Sequence, residues 1–158
     1  MLKKIFLILC LCFLFSCQRS NNWRCNSISC QKYNSSKLTY KNPKSFLEYE
    51  ILNVDGDLQS FINILSTKID AQEDTIEITL SNSENTYLTY GKIRKGGQKI
   101  YLTTQAQNII IDTLQKNEAI TIELEDIKET IDPQNFSKKF KSFLKSNATF
   151  NKIVKSLY

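Results

Sequence analysis

The chain has no histidine among its 158 residues. Histidine is the one side chain whose unperturbed charge changes near neutral pH, and it is the commonest general base and metal ligand. Its absence excludes the Ser-His-Asp and Cys-His nucleophilic sites and most zinc sites. Glycine and proline are scarce as well, at four and two. An all-β protein with many tight turns usually needs more of both, so the composition argues against one. No apolar run reaches the roughly 20 residues that a membrane-spanning helix needs. The longest, Ile5 to Phe15, has eleven. No Gly-rich phosphate loop is present, because Gly96-Gly97 is not followed by Gly-Lys-Ser/Thr. The paired carboxylates of glycosidases would have to come from Glu48, Glu50, Glu77, Glu123 or Glu125. All five occupy outward positions of alternating segments, where water is the default neighbour. The expectation is a protein that is not an enzyme and carries no cofactor or metal.

What is present begins at the N-terminus. Lys3 and Lys4 precede the eleven-residue run, the layout of a secretory signal with a positive n-region and a short apolar h-region. The run ends in Leu14-Phe15-Ser16-Cys17. This resembles the lipobox of bacterial lipoproteins, in which a small residue precedes the cysteine that receives a diacylglycerol before cleavage. Leu14 and Ser16 follow that pattern, whereas Phe15 replaces the commoner small residue. The resemblance implies a signal peptide over 1–16, acylated Cys17, and a bilayer as first partner. It covers only the first seventeen residues. An ordinary signal peptide with Cys17 as a plain thiol is the alternative. Gln18 is not the Asp that retains enteric lipoproteins in the inner membrane, so the resemblance points to the outer membrane of a bacterial envelope, at its periplasmic leaflet or surface.

The charge is uneven. The precursor has 21 basic and 16 acidic residues, a formal +5. Losing Lys3 and Lys4 with the signal leaves a mildly basic chain. An exported protein of that charge gives no reason to expect nucleic acid. The acidic residues thin out after Asp132, beyond which only lysines are charged. Of five cysteines, Cys10 and Cys12 leave with the signal and Cys17 is acylated. Cys25 and Cys30 remain, an even pair that suggests a disulfide in an exported chain. Free thiols and a weak metal site are the alternatives.

Segment 17–44 is rich in Ser, Asn, Lys and Gln and reads as a flexible tether. Trp23 in it is placed either at lipid headgroups or idly in water. A single domain is expected over 45–158. Leu47, Tyr49 and Ile51 alternate with Glu48 and Glu50, the period of a strand. Asp55-Gly56-Asp57 marks a turn, and Leu58, Phe61, Ile62, Leu65 and Ile69 then repeat at helical spacing. Ile76, Ile78 and Leu80 alternate again. Tyr87 to Lys95 and Gln98 to Thr104 flank the Gly96-Gly97 turn as a hairpin. Ala106, Ile109, Ile110, Thr113 and Leu114 give a second helical stripe, with Thr104 and Gln107 at capping-box spacing. Ile120, Ile122 and Leu124 form a further strand. Asp132-Pro133 opens a last helix, with Phe136, Phe140, Phe143, Leu144, Phe150, Val154 and Leu157 on one face. The repeated strand–helix–strand order hints at a degenerate duplication. The fold class expected is α+β: a two-layer sandwich of a mostly antiparallel sheet with helices on one face and a long C-terminal amphipathic helix.

Two basic surfaces are candidates for partner binding. One is the hairpin with Lys92, Arg94, Lys95 and Lys99, which can meet an acidic protein or lipid headgroups or merely keep a turn soluble. The other is the lysine face of the last helix, Lys138, Lys141 and Lys145, whose apolar side lies either on the sheet or in a membrane. The function these readings leave is a non-catalytic, protein-binding lipoprotein, such as an accessory subunit of an envelope assembly or secretion machine. The alternatives are an immunity lipoprotein neutralising a toxin and a surface lipoprotein contacting host or substrate.

Overall fold

The computed structural model describes residues 22–30, 33–66, 68–69 and 74–155, with side chains given outside 27–34 and 146–155. Among the described residues nine strands and two helices follow in chain order: β1 Trp23–Cys30, β2 Tyr33–Lys41, β3 Leu47–Val54, β4 Asp57–Ile64, β5 Thr75–Ser81, β6 Thr86–Ile93, β7 Lys99–Leu102, α1 Thr104–Gln115, β8 Ile120–Leu124, β9 Ile127–Ile131 and α2 Phe136–Lys155. All nine join one antiparallel sheet in the order β1-β2-β3-β4-β7-β6-β5-β8-β9. The α+β sandwich expectation is therefore corrected to a mainly β fold, in which the two described helices hold 20% of the chain.

Each correction has a local cause. The helical spacing of Leu58, Phe61, Ile62 and Leu65 predicts a helix over 58–69. The same residues also alternate, with Leu58, Ser60, Ile62 and Ile64 on the inner face. Asp55 and Gly56 decide between the two periods. Their φ values of 53° and 104° make a two-residue turn that pairs Val54 with Asp57. Such a turn matches the right-handed twist of a hairpin and feeds a strand directly into its neighbour. The strand–helix–strand duplication disappears with that helix. The expected tether over 17–44 is corrected too, because β1 and β2 lie within it. Its Ser and Asn residues hid an alternation of Trp23 with Cys25 and of Ser36, Leu38 and Tyr40. The strand β9 carries no turn signal before it, because Glu125-Asp126, with Glu125 at φ 48°, makes another two-residue turn from acidic rather than Asn-Gly residues.

The two ends of the strand order come together. Trp23 of β1 donates its indole N–H to the carbonyl of Asp132, just past β9, at 2.9 Å. The Tyr40 hydroxyl donates to the Thr130 carbonyl at 3.4 Å and accepts from the Asp132 amide at 3.2 Å. Asn42 donates to Glu129 at 3.2 Å. Contacts between opposite edges of a nine-stranded sheet require it to roll, and here side chains rather than a strand ladder make the seam.

Inside the roll, α1 packs on β4, β6, β7 and β8, and α2 on β1 and β2. Thr103 caps α1, accepting from the Ala106 amide at 3.2 Å, one residue before the Thr104 expected. A turn through Pro133 delays α2 to Phe136, with Asp132 Oδ1 accepting from the Gln134 amide at 2.7 Å. From α2, Phe136, Phe140 and Phe143 form an aromatic column, with centroids 5.2 and 5.8 Å apart. Trp23 closes that column 4.8 Å from Phe136 and 5.0 Å from Tyr40. The expectation of a long C-terminal amphipathic helix fails at Leu144, which is 39% exposed instead of sharing the phenylalanine face. The expected apolar residues Phe150, Val154 and Leu157 lie outside the described side chains. Interior polar groups are paired: Tyr49 with Ser60 at 3.1 Å, and Ser36 with the Phe143 carbonyl at 3.5 Å. Among the described residues no buried side-chain nitrogen or oxygen lacks a partner, as a close-packed interior requires.

Candidate functional site

Because the inner face is filled, the outer face of the sheet carries whatever the fold presents to others. Its centre is Glu50 on β3. By alternation this residue points outward, yet it is 4% exposed. Lys99 from β7 reaches its carboxylate at 2.8 Å and Lys37 from β2 at 3.2 Å. Asn63 of β4 donates to it at 3.4 Å and to Glu48 at 3.2 Å. Register explains the convergence: Glu50 faces Phe61, Phe61 faces Tyr101, and Asn63 faces Lys99 across successive strands. The Lys99 ammonium sits 4.2 Å from the Phe61 ring centre, and the Arg94 guanidinium 5.5 Å from that of Tyr101. The two rings are 5.4 Å apart.

Burial pushes the Glu50 carboxyl up, but hydrogen bonds from Lys99 and Lys37, with their charges, outweigh it and hold it below the ordinary carboxylate value. A carboxylate kept ionised with its oxygens occupied is a poor proton donor at neutral pH and a poor base. Its role is to fix lysine stems and rings over the outer face. Charge-assisted bonds of this kind are the stronger class.

The proposed partner-binding residues divide accordingly. Lys99 is committed to Glu50 and Phe61, and Arg94 lies over Tyr101. Lys92 and Lys95 are exposed. The Gly96-Gly97 turn forms as expected but with a longer loop between Ile93 and Lys99, closed by Arg94 N–H to the Lys99 carbonyl at 2.7 Å. Lys138 and Lys141 are exposed on α2, which rests on β1 and β2. The hairpin joins β6 and β7, so the two basic groups form separate surfaces. Lys128 of β9 bridges Glu123 at 2.8 Å, so the acidic strand meets its own neighbour rather than α2.

One further surface depends on strand order rather than on local sequence. Leu88 and Tyr90 of β6 point outward, 58% and 53% exposed. Lys92 follows at the next outward position, opposite Tyr101. Their cross-strand neighbours on β5 are Thr79, Glu77 and Thr75. Taken as a strand, Tyr87 to Lys95 has this parity in its sequence, but which face met solvent depended on β7 and β5 flanking β6.

Cys25 carries a free thiol. The bridge to Cys30 is corrected by geometry: five strand steps put the two about 16 Å apart, against the 7 Å that a disulfide tolerates. Burial raises the Cys25 thiol pKa, opposed by the charge of Lys139. No metal-ligand cluster occurs among the described residues, and no described helix is long and apolar enough to cross a membrane. Cys17 and the signal segment 1–16 lie outside the described residues. Compared with protein-family models, curated proteins and solved structures, the chain matches none.

Proposed function

We propose that the chain is an envelope lipoprotein, anchored through Cys17, whose domain is a non-catalytic protein-binding module of a larger envelope assembly. The observation that supports this reading is the Leu88–Tyr90–Lys92 row on the outer face of β6. An apolar pair, one member aromatic, beside Arg94 on Tyr101 has the composition of an interface core. Thr75, Glu77 and Thr79 supply a polar rim of the kind that surrounds one. Two apolar side chains more than half exposed at adjacent outward positions cost solubility and add nothing to the domain's own packing. The chemistry of the ordered outer face supports binding over catalysis, since its buried carboxylate is held ionised and fully engaged.

The test is crosslinked pulldown from membranes with the wild-type protein and with Leu88→Asp and Tyr90→Asp. A specific protein partner that is lost with either substitution, while the folded domain persists by circular dichroism, is the expected result. Recovery of no specific partner, or of one indifferent to both substitutions, refutes the assignment. Charge reversal at Lys138 and Lys141 in the same assay separates the α2 face, which is expected to be neutral.

A further inference from the structure

Phe46 and Leu65 are 63% and 42% exposed. They stand opposite each other one step beyond the β3–β4 ladder, with the Leu65 N–H donating to the Phe46 carbonyl at 2.8 Å. Their parity is outward, shared with Glu48 and Asn63. Antiparallel order decides what else occupies this end of the strands: the start of β1, the β2–β3 link with exposed Lys44, and the β6–β7 turn with exposed Arg94 and Lys95. Two backbone bonds draw that turn alongside, from Ile64 N–H to the Gln98 carbonyl at 2.8 Å and from Ile69 N–H to the Gly97 carbonyl at 2.9 Å. Gly97 permits this approach: a Cβ there would stand 2.7 Å from the Ile69 carbonyl oxygen.

We propose that this end of the sheet is the membrane-docking face, with Phe46 and Leu65 entering the headgroup region and Lys44, Arg94 and Lys95 engaging anionic lipid phosphates. The proposal rests on acylation of Cys17. Only residues 18–22 separate that cysteine from β1, a reach of about 17 Å when fully extended. The domain therefore cannot stand away from the bilayer, and the end at which the chain enters it is the end brought nearest. That end bears two of the large exposed apolar residues and three cations, the combination that binds an anionic interface. Asp74 adjoins the turn through the Ile93 amide, and Glu48, the next outward residue after Phe46, is engaged by Asn63 at 3.2 Å, while Lys44, Arg94 and Lys95 are exposed. The acidic Glu125-Asp126 turn shares this end of the strands, three strands from β4 on the β7 side, and across the seam Glu129 of β9 is engaged by Asn42 at 3.2 Å.

The experiment uses the full lipidated protein in vesicles of phosphatidylcholine containing phosphatidylglycerol, with bromine on the acyl chains as quencher. Trp23 is buried and supplies a constant background, so Phe46→Trp adds one reporter at the face and Leu88→Trp one away from it. Loss of most of the emission added at position 46, with that at 88 retained, is expected. The combined Lys44→Gln, Arg94→Gln, Lys95→Gln change in the Phe46→Trp protein should restore that emission. Protein that floats with the vesicles while position 46 stays unquenched overturns the docking face and leaves the anchor standing. Equal quenching at 46 and 88 overturns it as well. Protein that fails to float and incorporates no labelled palmitate removes the anchor, and this proposal with it.

Discussion

Replacing Trp23 by alanine asks whether the N-terminal segment belongs to the fold. The indole is 1% exposed, packed between Tyr40, Tyr49 and Phe136, and its N–H holds the Asp132 carbonyl across the seam. Truncating a buried large aromatic to alanine costs about 3–5 kcal/mol. Leaving the Asp132 carbonyl short of its donor adds about 1 kcal/mol where water does not replace it. A loss near 4 kcal/mol, divided by a urea m-value of about 2 kcal/mol/M, moves the midpoint down by about 2 M. Trp23→Phe keeps most of the ring volume but not the hydrogen bond, so its loss should be the smaller of the two. Urea unfolding followed by circular dichroism reads both. A Trp23→Ala midpoint within experimental error of wild type would mean that β1 is not part of the cooperative unit, and the rolled sheet with its seam would be wrong.

Glu50→Gln should cost about 1–3 kcal/mol at pH 7, because two partly covered lysines lose their counter-charge. Its pH dependence has a fixed sign. The folded carboxyl lies below its ordinary value of 4.5, so it binds fewer protons folded than unfolded near that pH, and its stabilisation is full above 4.5. It is lost as pH falls from there through the folded pKa; unfolding titrations should show Glu50→Gln flattening that limb of the wild-type curve. Gly97→Ala should destabilise by about 1–3 kcal/mol, since it combines a φ of 68° with a Cβ against the Ile69 carbonyl; a thermal midpoint unchanged from wild type would contradict the close approach. Denatured, non-reduced protein should be alkylated at Cys25, as mass spectrometry would show; a Cys25–Cys30 peptide would refute the extended β1.

Much of the middle of the fold was readable from residues alone. Ile76–Leu80, the two arms about Gly96-Gly97, the Ala106–Leu114 stripe and Ile120–Leu124 all carry a period that their elements keep. The failures share a cause. At 58–64 two periods coexist because Phe61, an outward residue, is apolar: it packs under Lys99 and beside Tyr101 rather than in the core. Helical spacing then wins by count, although Asp55-Gly56 was a hairpin signal in plain view. At 23–41 the inner face uses Ser36 and Cys25 where a strand usually shows aliphatics, so the polarity mimics that of a tether. Glu50 looked like a solvated glutamate because its partners, Lys37, Asn63 and Lys99, come from three other strands. Nothing local to β3 marks it.

The same correction changes what the proposed anchor at Cys17 would do. With a domain starting at 45, residues 18–44 would form a leash with a contour of about 90 Å, and the protein would search a wide shell of the envelope. With β1 starting at Trp23, an anchor at Cys17, as proposed, would leave a reach of about 17 Å and hold the domain at the membrane surface. A short leash raises the effective concentration of the domain toward anything else at that surface and lowers it for partners farther out. The Leu88–Tyr90 row lies on the outer wall of the roll, on β6, whereas the chain enters at the strand ends. A domain held down at those ends presents that wall sideways, along the membrane plane. On the proposed anchoring, such a wall would suit a partner that is itself held close to the bilayer.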